Sequence, residues 1–148
     1  MQMKGVIKIA IALFLVCFIA VGALATIEYI TRDAIKENEV KEINNALSVL
    51  IPECEYEDIT QAIQESVNRF NDNSNNTIIK QVFAATDSGS NVVGHVVVLD
   101  TQGYVDIIGL RVGILSDGTV SGVVIGTNSE TPGLGANISK EGFLNQFK

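Results

Sequence analysis

The densest chemistry in this chain lies in "TNSETPGLGANI", Thr127 to Ile138, where an acid, a hydroxyl, a proline and two glycines fall between Glu130 and Gly135, straight after a β-branched run. Pro132 fixes one backbone angle, while Gly133 and Gly135 permit positive φ and clear side chains from the path of an approaching group. The spacing predicts a rigid loop with exposed backbone N–H groups at the end of a strand. Glu130 and Thr131 are expected at its rim and Leu134 at its tip. A carboxylate and a hydroxyl placed so can hydrogen-bond the edge of a polar heterocycle, and an exposed leucine can cover its flat face. A decorated tight turn is the alternative that spacing alone leaves open.

Other constellations carry less. His95, the only histidine, sits in "VVGHVVVLD" and reads as a strand residue facing solvent or a backbone partner. No Cys/His/carboxylate cluster has zinc-like spacing. There is no G-x-S-x-G elbow and no P-loop, and "GLGANI" lacks the third glycine of the dinucleotide fingerprint. "ECEYED", Glu53 to Asp58, lacks the spaced ligands and central glycine of a calcium loop and reads as an acidic approach to a helix. With 10 Lys+Arg against 17 Asp+Glu and a net charge of -7, the chain does not offer the basic stripe that a nucleic acid partner requires.

These residues are positioned by three kinds of segment. Ile9 to Ile27 carries no charge, and about twenty apolar residues are what a helix needs to cross a hydrocarbon core of roughly 30 Å. The run reads as a retained membrane anchor, with a secretory signal cleaved after "ALA" at Ala23 to Ala25 as the other reading. Lys4 and Lys8 beside the span place the N-terminus in the cytoplasm and the rest of the chain outside it. Cys17 falls inside the span and Cys54 beyond it, so the two are not expected to pair, and each reads as a small apolar filler.

Ile35, Val40, Ile43, Leu47 and Leu50 continue the helical pattern to Pro52, as a stalk that stands the domain off the bilayer. Ile59, Ile63, Val67 and Phe70 predict a second helix with Asp58 as its N-cap, followed by a polar turn over Asn71 to Asn76. From Thr77 the chain turns to β-branched residues punctuated by Gly and Asp, and "SDG" at Ser116 to Gly118 marks a hairpin. The fold expected is α+β: an N-terminal transmembrane helix over 1–30, a stalk helix over 31–52, and a compact extracytoplasmic domain over 53–148. That domain is expected to hold a mostly antiparallel sheet with helices on one face.

"GYVDIIGLRVGILSDGTVSGVVIGTNSETPGLGANISKEGFLNQF", roughly Gly103 to Phe147, resembles the FMN-binding domain shared by the G subunit of the Rnf complex (ferredoxin:NAD oxidoreductase) and the C subunit of the sodium-translocating NADH:quinone reductase. "ETPGLG" after a glycine-punctuated hairpin, Gly103-Tyr104 upstream, and Phe143 and Phe147 downstream carry the resemblance. The short N-terminal half favours the Rnf protein of the two.

The resemblance implies an extracytoplasmic electron carrier in a bacterial or archaeal cell membrane. Its partners are the other membrane subunits of an ion-translocating complex, and residues 9–27 contact the bilayer. It also implies FMN as the cofactor, lined by Glu130, Thr131, Pro132, Gly133, Leu134 and Gly135, with no catalytic residue of the chain's own. In that family FMN is joined through a phosphoester to a Thr or Ser of an S-G-A-T-like motif, which these 148 residues do not contain. The motif follows "ETPGLG" by a few tens of residues in the family, so the chain is expected to be the N-terminal part of a longer protein. A complete chain without the motif would instead read as a membrane-anchored assembly module. Asn128 stands where the family often has histidine.

Overall fold

A long uncharged apolar run can satisfy its backbone in hydrocarbon only as a helix, and the computed structural model, which describes residues 3–147, has α1 over Met3–Leu50. Residues 1–2 of the expected anchor and Lys148 of the expected domain lie outside the described residues. The chain divides into two units between Lys41 and Glu42. In the first, the apolar side chains from Ile7 to Ile27 stand exposed along the helix. Among the described residues this is the one helix long and apolar enough to cross a membrane. Beyond the apolar run, Arg32 pairs with Glu28 at 3.0 Å and Lys41 with Glu37 at 2.7 Å, both solvent-exposed i,i+4 pairs that stabilise a helix only slightly.

The second unit begins with the last turns of α1 and continues through β1 (Glu55–Asp58), α2 (Gln64–Asn73), β2 (Thr77–Thr86), β3 (Val92–Gln102), β4 (Ile107–Leu115) and β5 (Val120–Ile125). The strands form one antiparallel sheet in the order β1-β2-β3-β4-β5, as the short connections from β2 onward require, while β1 reaches β2 by way of α2. Period-two alternation gives the sheet two usable faces. Val96 and Val98 on one face close over Ile43, Leu47, Leu50 and Ile51, with Leu47 and Val96 fully buried. His95 and Val97 on the other share an apolar surface with Ile63 and Val67. The helical segments therefore divide between the two faces instead of sharing one. The alternation through His95 to Val98 makes both faces apolar, and each needs cover.

Three local expectations are corrected. Glu53–Asp58 is not a helix approach: Glu55–Asp58 pairs with Phe83–Thr86 as an edge strand. Its inward signal is the single Tyr56, too little to register as periodicity, and Glu53 makes the turn into it at a φ of 60°. Nor does Asp58 cap a helix. Its Oδ1 accepts from the Thr60 N–H at 2.9 Å and from the Thr60 hydroxyl, a local turn that delays α2 to Gln64. α2 also runs on to Asn73, into the expected Asn71–Asn76 turn. There Asn71 donates to the Ile79 carbonyl at 3.1 Å and accepts from its N–H at 2.8 Å, stitching α2 to β2.

Tyr56 closes the end of α1. Its hydroxyl shares one proton between the carbonyls of Leu47, at 3.0 Å, and Ile51, among the acceptors that a helix end leaves without an intrahelical donor. Burial, and after it the neighbouring Cys54, raise the Tyr56 phenol above its ordinary value. A phenol so raised contributes stability that is fully present below about pH 10 and lost as pH climbs through the raised folded value. Tyr56→Phe should cost about 0.5–1.5 kcal/mol at neutral pH and remove that alkaline decline, as urea unfolding of the full chain in detergent would show.

The β4–β5 hairpin turns at Ser116–Gly118, as the sequence predicts, with the Leu115 N–H donating to the Thr119 carbonyl at 2.8 Å. Asp117 Oδ1 accepts from the Thr119 N–H at 2.8 Å. That backbone bond, seconded by the Thr119 side chain, holds the exposed Asp117 carboxyl below its ordinary value. Its contribution is therefore present above about pH 3.9 and lost as pH falls through the depressed folded value. Asp117→Asn should flatten this limb of an acid unfolding curve; an unchanged curve would contradict it.

Candidate functional site

The segment after β5 is shaped by polar side chains turned onto the backbone. β4 and β5 keep exchanging hydrogen bonds past the strand end, from the Gly126 N–H to the Gly109 carbonyl and from the Gly109 N–H to the Thr127 carbonyl, each at 2.8 Å. Asn128 then takes over: its Oδ1 accepts from the Glu130 N–H at 2.9 Å, and its Nδ2 donates to Ser139 Oγ at 3.3 Å. Gly133 sits at a φ of +79°, a left-handed conformation that a side chain resists. The N–H groups of Leu134 and Ala136 fold back onto the Thr131 carbonyl at 3.1 and 3.2 Å, and Asn137 Nδ2 donates to the Gly133 carbonyl at 2.9 Å. A 3-10 turn over Gly135–Ser139, α3 over Glu141–Leu144 and a second 3-10 turn over Asn145–Phe147 follow. Phe143 and Phe147 meet there edge to face with ring centres 5.4 Å apart.

Glu130 is not at the rim of this loop. It is buried, 7 % exposed, and its Oε1 accepts from the Val105 N–H at 2.9 Å and, at 3.4 Å, from that of Asp106. The carboxylate thus ties the loop after β5 to the loop between β3 and β4. The clearance for it comes from two glycines. A Cβ at Gly135 would come within 2.8 Å of Glu130 Cβ, and a Cβ at Gly103 would collide with Glu130 Oε1. The expectation of exposed N–H groups is also narrowed, because those of Leu134 and Ala136 are spent within the loop.

The remaining predicted residues fall together on the outside. Thr131, Pro132, Gly133 and Leu134 are exposed, Leu134 to 73 %, and Gly135 is half-buried behind them. Across the Glu130 tie stands Tyr104, 95 % exposed. The two loops held together by Glu130 therefore each present a large apolar side chain to solvent. A Cβ at Gly133 would meet no atom within 4 Å, so the surface beside Leu134 is open. A hydroxyl, a fixed backbone and two unpacked apolar side chains suit a flat heterocycle with a polar edge.

His95 stays in β3, half-buried against Ile63, Val67 and Ile114 and apart from this cluster. Sequence reasoning missed the Val105–Asp106 backbone, which is half of the Glu130 tie. The signal available was Gly103, a small residue just before an exposed tyrosine. It also missed Arg111, a charged residue 6 % exposed inside β4. Its place among buried strand positions was the clue.

Residues 103–147, which hold both loops, match the FMN-binding domain family. The chain is 32% identical over 143 residues to the G subunit of the ion-translocating oxidoreductase complex of Shewanella baltica, covering 95% of this chain and 67% of that protein. It is 31% identical over 136 residues to the G subunit of the proton-translocating ferredoxin:NAD(+) oxidoreductase complex of Clostridium ljungdahlii, covering 92% of this chain and 64% of that one. The Na(+)-translocating counterpart of Acetobacterium woodii is 30% identical over 138 residues, at 92% and 66%. The chain thus spans about two thirds of the length of these relatives.

Proposed function

The chain belongs to the family of G subunits of ion-translocating oxidoreductase complexes, and from that premise we propose that it is an FMN-carrying electron-transfer subunit of a membrane-bound, Rnf-type complex. The observation that carries the reading is the Glu130 tie. It fixes an exposed Thr131–Leu134 loop beside Tyr104, inside the segment that matches a flavin-binding family.

FMN, when bound, supplies the redox chemistry, and the protein supplies placement, shielding and tuning. In this proposal Leu134 and Tyr104 cover apolar ring surface and exclude water from it, and the Thr131 hydroxyl bonds a polar edge. Pro132 and Gly133 hold the backbone close enough for contact. Glu130 and Gly135 act one layer behind: the carboxylate holds both loops in place, and the glycine leaves room for it. In this proposal the described residues place and shield the flavin, and the chain acts as an electron carrier within an oxidoreductase complex.

Residues 1–30 would serve as a single-pass anchor with a cytoplasmic N-terminus, residues 31–52 as the stalk, and residues 53–148 as the extracytoplasmic flavin domain. The neighbours would be other subunits of the complex. Attachment of FMN would be covalent, as the resemblance to the family implies. The experiment is a stopped-flow reduction of the purified complex by its electron donor, watching flavin absorbance. With this polypeptide present, one flavin signal should bleach and recover when acceptor is added. A complex lacking the polypeptide that keeps the same number of redox-active flavins would contradict the proposal.

A further inference from the structure

A buried charge that the redox reading does not use lies on the opposite strand from the loop. Arg111 in β4 has a side chain 7 % exposed, yet its ion pair with Glu42 spans 3.6 Å, too long for a good hydrogen bond, and the Glu42 side chain is 61 % exposed. Its Nε is buried without any partner among the described residues. A guanidinium has five donors in a fixed fork, and a buried one is stable only when acceptors meet that fork. Glu42, held largely in water, supplies one distant oxygen.

The fork borders a cleft of about 280 Å³ lined by Glu42, Asn45, Arg111, Val124 and Gly126. A liquid water occupies roughly 30 Å³, so the cleft exceeds what one bridging water fills. The backbone makes way for the cation: a Cβ at Gly126 would fall on the guanidinium itself. The Asn45 side chain, exposed at the cleft, adds an amide capable of donating. A desolvated fork, a second donor and apolar walls from Val124 form a receptor for an acceptor-only group.

We propose that this cleft binds a small oxyanion, a phosphate or a carboxylate, held bidentately by Arg111, with Glu42 as an internal competitor for the same cation. Planar bidentate recognition of such groups is what arginine does and lysine does not. The site stands apart from Thr131–Leu134, and its failure would leave the flavin reading untouched.

The test is calorimetric titration of the full chain in a neutral detergent, with inorganic phosphate and acetate as separate probes and chloride as the background ion. Saturable binding of one of them is expected, with the preferred probe telling phosphate from carboxylate. Arg111→Lys should weaken it by about tenfold or more, since it keeps the charge and loses the fork. Arg111→Leu should abolish it while raising the melting temperature in buffer free of both probes, because it removes an unsatisfied buried charge. Glu42→Gln should tighten it severalfold by removing the competitor. Absence of binding to the wild-type chain, equal binding by Arg111→Lys, or weaker binding by Glu42→Gln would each overturn the proposal.

Discussion

Gly135→Val should leave most of the polypeptide in the purified complex without flavin, because FMN must seat against the loop before it is attached, whereas His95→Ala should leave the flavin content unchanged. A Cβ at position 135 would lie 2.8 Å from Glu130 Cβ, and valine adds two methyl groups to that collision. Something must shift, and the movable partner is the Glu130 carboxylate, whose 2.9 Å bond holds the Val105 N–H. Losing that bond frees the Tyr104 loop from the Leu134 loop, so the surface for the heterocycle comes apart. Gly133→Val should act by another route, forcing a β-branched residue to a φ of +79°. His95, half-buried against Ile63 and Val67, lies apart from both loops. Flavin absorbance per polypeptide reads all three variants, and equal occupancy would contradict the placement.

Glu130→Ala should cost about 1.5–3 kcal/mol of stability in the flavin-free chain, because it removes a buried charged acceptor and leaves the Val105 N–H unpaired. Glu130→Gln, which keeps an acceptor oxygen, should cost a fraction of that. The pair separates two roles for the same residue. A carboxylate that only touched the cofactor would leave the flavin-free melting temperature unchanged in both variants. A carboxylate that holds the loops lowers it in the alanine variant first, and flavin loading falls with it. Unchanged melting in Glu130→Ala would return Glu130 to the rim, where its sequence context alone suggests it.

The contrast between Glu130 and its neighbours shows what a sequence makes legible. The loop itself was readable because proline and glycine act on their own backbone, and Thr131 and Leu134 are exposed as expected. The burial of Glu130 was not, because it depends on an N–H donor at Val105, 25 residues away and brought alongside only by the β4 hairpin. The four long strands announced themselves through β-branched alternation. β1 did not, since four residues with one inward tyrosine give no period. Asp58 shows a third limit: its carboxylate prefers the Thr60 N–H two residues on to a helix start six residues away, and both choices look alike in a linear string. Arg111 was hidden because its burial rests on Gly126 across the sheet.

The central claim is that this chain carries FMN on the Thr131–Leu134 loop of a membrane-bound electron-transfer complex. The most direct test is the flavin content of this polypeptide itself, taken from its native membrane complex, by intact mass and in-gel fluorescence under denaturing conditions. A fluorescent band whose mass exceeds that of the polypeptide by one FMN less the water lost in forming the phosphoester is the predicted result. A dark band at the unmodified mass, from a preparation whose native flavin-to-polypeptide ratio is also near zero, would contradict it.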